Sequence, residues 1–186
     1  MFAEPAETAS VPRMLPREPD VTGLALAARD GDQEALAAFV RATQPRVLRF
    51  LAHLVHPRAA EDLTQETYLR AVRSLPGFAA RSSAVTWLLA IARRVAADHI
   101  HAVRAAPHVV ALDARQAAAG RFEDWVILRQ LLDALPIDRR EAFVATQVAG
   151  LTYAEAAQVC DCPIGTIRSR VARAREDLMA ALTTAA

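Results

Sequence analysis

Lysine is missing from this chain: all 22 basic side chains among its 186 residues are arginine. Together with abundant alanine, this is the mark of GC-rich coding. A single arginine is therefore weaker grounds than usual for a recognition site, although each keeps the planar fork that suits phosphate or guanine. An excess of one charge is missing too. The 21 acids leave a net charge of +1, which excludes a globally basic surface, so affinity for a polyanion has to come from clustered charge. Cysteine is scarce. Cys160 and Cys162 are too few and too close for a disulfide framework. As a Cys-x-Cys pair they could contribute to a metal site, but no nearby His or Cys completes four ligands, which favours packing and capping. No apolar run reaches the roughly 18 residues of a membrane span, and the N-terminus lacks a basic-then-apolar leader. A soluble, cytoplasmic chain is expected. With 5% aromatics and scattered β-branched residues, the fold class predicted is all-α.

What is present is concentrated between Leu151 and Arg175, which reads as two short helices joined by a three-residue turn. Thr152 is placed to cap the first helix, with Glu155 three residues on to complete a capping box and Leu151 as a staple. The helix ends at Cys160-Asp-Cys162, where Asp161 tolerates a left-handed turn, though less easily than glycine. Pro163 then opens the second helix, where a missing N–H costs nothing. Ile164, Ile167, Val171, Ala174 and Leu178 recur at helical spacing as a buried stripe. Thr166, Ser169, Arg170 and Arg173 share another face, flanked by Arg168 and Arg175. Hydroxyls and arginines on one face suit base edges and phosphates, as in the recognition helix of a helix-turn-helix. The plainer alternative is an arginine-rich solvated helix.

The rest of the chain divides in two. Residues 1–20, with four prolines and four acids, read as a disordered tail. A first helical block, 21–105, has a break at Arg29-Asp-Gly-Asp32, a kink or boundary at Pro45, a helix from Ala59 to Ser74 and another from Ser83 to about Arg104. Residues 106–120 are weakly patterned and read as a flexible linker. A second block, 121–184, holds an amphipathic helix with Phe122, Trp125, Leu128, Leu131, Leu132 and Leu135. A further helix from Asp138 to Val148 is stopped near Gly150, and the helix-turn-helix follows. Two small helical domains on a tether are expected, each near the size at which a single core is marginal.

The first block carries chemistry that a simple repressor does not need. Asp62, Gln65, Glu66 and Leu69 make an acidic face with an apolar edge, near a helix N-terminus whose dipole favours acids. The plainer alternative is dipole complementation and solvation. Phe78-Ala-Ala-Arg-Ser-Ser83 is a polar loop opening onto the helix of Trp87, Arg93, Arg94 and Arg104. Trp87 reads as a core anchor beside Leu88, Ile91 and Val95. His99 and His101 fall on different helical faces, which rejects a metal pair. No catalytic triad, phosphate loop or carboxylate pair stands out, so neither an enzyme nor a cofactor is expected.

In Glu61-Asp-Leu-Thr-Gln-Glu-Thr-Tyr68, Thr86-Trp-Leu-Leu-Ala-Ile-Ala-Arg93 with Asp98-His99, Leu135-Pro-Ile-Asp-Arg-Arg-Glu141, Gly150-Leu-Thr-Tyr-Ala-Glu-Ala-Ala157 and Gly165-Thr-Ile-Arg-Ser-Arg170, the chain resembles the extracytoplasmic-function sigma factors, the minimal bacterial transcription initiation factors. Arg81-Ser-Ser-Ala84 with Ala90-Ile-Ala-Arg93 is similar to an actinobacterial subgroup, that of the mycobacterial sigma factor C. The resemblance implies a core-polymerase and −10 domain (21–105) and a −35 domain (121–184). Asp62, Gln65, Glu66 and Leu69 would dock on the β′ clamp helices. Phe78, Arg81, Ser82, Ser83, Trp87, Arg93, Arg94 and Arg104 would meet the −10 element, holding a flipped base. Thr152, Thr166, Arg168, Ser169, Arg170 and Arg173 would meet the −35 element, with the domain seated on the β flap. An anti-sigma protein is a further partner the family admits. Arg94 and His101 stand where the family often has Asn and Arg, and Asp161 replaces a frequent glycine. A rival reading is an autonomous helix-turn-helix regulator of duplex operators.

Overall fold

The computed structural model describes residues 20–105 and 122–185, with the side chains of 122–127 and 184–185 left out. The proposed tail and linker lie outside the described residues. Eight α-helices account for nearly all of the rest: α1 Val21–Arg29, α2 Gln33–Leu54, α3 Pro57–Ser74, α4 Ala84–Ala105, α5 Phe122–Ala134, α6 Ile137–Phe143, α7 Tyr153–Cys160 and α8 Ile164–Ala185.

Local chemistry sets the helix ends. Asp20 caps α1 by accepting from the Gly23 amide at 2.9 Å. The chain then reverses at Gly31, whose φ of +104° is open to glycine. Asp32 caps α2 by accepting from the amides of Glu34 and Ala35. Pro57 stands at the start of α3, where no amide is missed.

Two boundaries are corrected. Pro45 does not end α2, which runs through it from Gln33 to Leu54. Phe39, Thr43, Val47, Phe50, Leu51 and Leu54 are all buried along that helix, and this packing outweighs the missing hydrogen bond. The helix expected from Asp138 to Val148 stops at Phe143 and widens into a π-helical turn, Val144–Val148. The Leu151 amide then bonds back to the Ala145 carbonyl at 3.1 Å, past Gly150 at φ +67°.

The two blocks do not stand apart. One apolar core runs from Phe39, Phe50, Leu51 and Leu54 on α2, through Leu88, Leu89 and Ala92 on α4, to Ala142, Ala156, Val159, Ile167 and Val171 in the second block. The two helical modules expected from the sequence are both present, and their buried residues meet in one continuous cluster. A smaller cluster of Leu132, Leu135 and Ala174, with Phe143 and Leu178 against it, fastens α5 to α8.

Candidate nucleic-acid and partner interfaces

Helix α3 places Asp62, Gln65 and Leu69 in solvent, with Glu66 partly covered. Leu69 is 55% exposed and Val72, three residues on, is 45% exposed. The apolar edge is therefore longer than Leu69 alone, and the i, i+3 spacing is the signal that could have added Val72. Arg70 donates from Nε to Glu66 at 2.7 Å and from Nη1 to Asp98 on α4 at 2.6 Å.

The loop before α4 divides the predicted −10 residues. Phe78 is a correction: it is 4% exposed, its ring lies 4.9 Å from that of Trp87, and Arg29 donates to its carbonyl at 3.2 Å. A ring packed this way is a wall of the core and cannot stack on a base. Ala80 has φ +51°, which turns the loop so that Arg81 and Ser83 are exposed and Ser82 half-exposed. Ser83 accepts from the Thr86 amide at 3.1 Å and exchanges a hydroxyl bond with Thr86 at 2.8 Å, capping α4. Along α4, Trp87 and Arg93 are half-buried, while Arg94 and Arg104 are exposed.

The helix-turn-helix is built as its sequence foretells. The Thr152 hydroxyl accepts from the Glu155 amide at 3.2 Å and donates to the Glu155 carboxylate at 2.8 Å; the carboxylate also accepts from the Thr152 amide at 2.9 Å. Those backbone and hydroxyl donors outweigh desolvation and lower the Glu155 pKa. The Thr152 hydroxyl serves the cap, on a residue that stays exposed. Asp161 makes the turn at φ +51°, ψ +52°. Thr166, Arg168, Ser169, Arg170 and Arg173 follow on α8, all exposed except the half-buried Thr166 and Arg170. Arg170 pairs with Asp138 at 3.1 Å and approaches the Cys162 sulfur at 3.6 Å. Ile164, expected in the buried stripe, is 40% exposed, whereas Ile167, Val171 and Ala174 are buried.

Helix α7 lies against α4, so the second block covers part of the predicted −10 face. Thr86 donates to Glu155 at 3.3 Å. Arg93 donates to Glu141 at 2.8 Å, with side-chain exposures of 24% and 8%. Burial disfavours the Arg93 cation, but the hydrogen bond and field of Glu141 prevail and raise its pKa. Arg46 on α2 donates twice, at 2.9 and 2.6 Å, to the Ala149 carbonyl that ends the π-helical turn. Arg129 on α5 reaches the carbonyls of Ala52 and Val55 at the end of α2. Sequence reading missed all four as contacts between the blocks. A cavity of about 340 Å³ opens in the seam beside Arg104, Cys162 and Arg170. Cys160 also borders it, buried so that desolvation pushes its thiol pKa up to about 12. Among the described residues, no group of three or more His, Cys, Asp or Glu could hold a metal ion, and no helix is long and apolar enough to cross a membrane.

Comparison with known proteins assigns both blocks. Residues 39–105 match the sigma-70 region 2 family and residues 125–178 the sigma-70 region 4 family. The chain is 53% identical over 167 residues to the ECF RNA polymerase sigma factor SigC of Mycobacterium tuberculosis, covering 86% of this chain and 90% of the relative. Its fold matches CnrH, solved with the cytosolic domain of CnrY, at a TM-score of 0.74 and 22% identity over 90% of this chain and all of the other. It also matches the sigma factor RpoE of Bartonella quintana, solved with the anti-sigma factor NepR, at a TM-score of 0.66 and 28% identity over 81% and 98% of the two chains. The chain belongs to the extracytoplasmic-function sigma factors of the sigma-70 family, which bind core RNA polymerase and direct it to −35/−10 promoters.

Proposed function

We propose that residues 21–105 dock on the β′ clamp helices of core polymerase through Asp62, Gln65, Glu66 and Leu69 and bind the −10 element through Arg81, Ser82, Ser83, Trp87, Arg93, Arg94 and Arg104. Residues 121–184 read the −35 element through Thr166, Arg168, Ser169, Arg170 and Arg173, seated on the β flap. One observation carries this reading: behind a capped, left-handed turn, α8 presents hydroxyls and arginines along one accessible side. The rival autonomous regulator has no use for the open acidic face of α3.

The two modules work when drawn apart. Arg93 cannot meet DNA while Glu141 holds it. The docking residues of α3 stay accessible in the packed arrangement, so polymerase can bind first and separate the modules afterwards. The chain catalyses nothing itself and works in the cytoplasm. An anti-sigma protein is a further partner, supported by the relative solved with NepR. The test is binding of a −35/−10 promoter fragment with and without core polymerase. Specific binding that requires core is expected; tight binding by the chain alone, unchanged by core, would return the autonomous regulator.

A further inference from the structure

The docking helix and the −10 helix are tied together by Arg70. Its guanidinium spans two carboxylates on different elements, Glu66 on its own helix at 2.7 Å and Asp98 on α4 at 2.6 Å. Glu66 belongs to the docking face. Asp98 stands on α4 one turn after the exposed Arg94, and its side chain is 62% exposed. A bare carboxylate there would repel the phosphates that Arg94 and Arg104 are placed to attract. An arginine fork holds its two acceptors at a set separation, which an ammonium on a flexible stem does not. Isolated exposed ion pairs contribute little to stability. The fork matters for what its two acceptors do.

We propose that Arg70 is a positioning residue serving both tasks of the first module: it fixes the Glu66 carboxylate for polymerase and neutralises Asp98 beside the promoter. The proposal rests on the docking and −10 assignments above. It assigns Arg70 no contact of its own with polymerase or DNA, so its effects must pass through its two partners.

That condition makes a double-mutant cycle decisive, with the full chain, core polymerase and a −35/−10 fragment. Arg70→Gln is expected to weaken core binding about fivefold, the upper range for exposed pairs, and to weaken promoter binding by the assembled holoenzyme, more so at low salt. In a Glu66→Gln background the same substitution should cost core binding nothing further. Adding Asp98→Asn to Arg70→Gln should restore promoter binding and leave core binding low. Asp98→Asn alone, an exposed change that leaves the fold intact, should alter core binding less than twofold. Arg70→Lys should not restore both functions. Additive losses with Glu66→Gln, together with no rescue by Asp98→Asn, would overturn the proposal and make Arg70 a direct contact or a structural residue. If Glu66→Gln by itself leaves core binding untouched, the docking face fails and the proposal goes with it.

Discussion

Replacing Glu141 by Gln should loosen the packing of the two modules. Glu141 is 6% exposed and its carboxylate meets Arg93 at 2.8 Å. Gross attraction between unit charges at that distance is on the order of 6 kcal/mol at an effective dielectric of 20. Much of it is recovered elsewhere: Gln keeps one hydrogen bond, and separation of the modules returns both groups to water. A net loss of about 2 kcal/mol, typical of a hydrogen bond to a charged group, is the working figure. It falls on the packed arrangement alone, since Arg93 is solvated once the modules part. At 1.4 kcal/mol per decade, the ratio of packed to open chains drops about 30-fold. Small-angle scattering should show a larger radius of gyration. Single-stranded −10 oligonucleotide should bind the isolated chain more tightly, by up to that same factor where the packed form dominates. Glu176→Gln, an exposed change of the same charge in the same module, controls for the added net charge. The reasoning fails if the two variants match each other in both measurements.

Three further outcomes follow from the same geometry. Arg173→Ala should cost about 1–3 kcal/mol of promoter affinity and relax preference at the −35 element only; a uniform loss over all sequences in a competition assay would assign Arg173 to phosphate. Thr152→Ala removes the hydroxyl half of the capping box, leaving the backbone amide bond to Glu155, and should lower stability by about 1 kcal/mol in thermal unfolding. Because the folded pKa of Glu155 is lowered, its stabilisation is fully present above the ordinary value of 4.5 and is lost as pH falls below that toward the folded value. Thr152→Ala keeps the backbone donor, the largest cause of the lowering, and removes the hydroxyl, so it should shrink this acid limb in part; an unchanged acid limb would refute the hydroxyl's share of the coupling. A thiol reagent should modify the half-exposed Cys162 in the native chain, while Cys160, buried with a pKa of about 12, should react only on unfolding. Equal native rates, resolved by peptide mapping, would contradict that difference.

The helix-turn-helix was legible because its determinants are local. Thr152, Glu155 and Asp161 act within a few residues of one another, and each does what its side chain suggests. Phe78 shows where that legibility ends. A phenylalanine in a polar loop reads as accessible, yet Ala80 turns the loop and sends the ring onto Trp87. Burial there also depends on α1, whose Arg29 lies 49 positions away, so a window around Phe78 holds only part of the answer. The acidic face on α3 was readable from its period, while Arg70 was overlooked as one more arginine in an arginine-rich chain. Its second partner, Asp98, lies 28 positions away.

The seam between the modules was illegible for a further reason, and that reason bears on how it works. Two of its strongest ties run from Arg46 and Arg129 to main-chain carbonyls, which every residue possesses and no sequence pattern marks. Its apolar part includes Ala92, Ala96, Ala142, Ala145, Ala149 and Ala156, all 2% exposed or less, in a chain whose alanines read as coding bias. Alanine lets helices approach closely but buries little area, so each one uncovered costs far less than a leucine or phenylalanine. Guanidinium groups freed from carbonyls and carboxylates regain water, and their net contribution is small beside their gross attraction. The same apolar cluster also holds larger side chains, Phe39, Phe50, Leu51 and Leu54 contributed by the first module and Ile167 by the second. Beside them, alanine and arginine in the seam lower the cost of parting the modules. Parting exposes Arg93 and Thr86 together, while the helices that carry them stay folded.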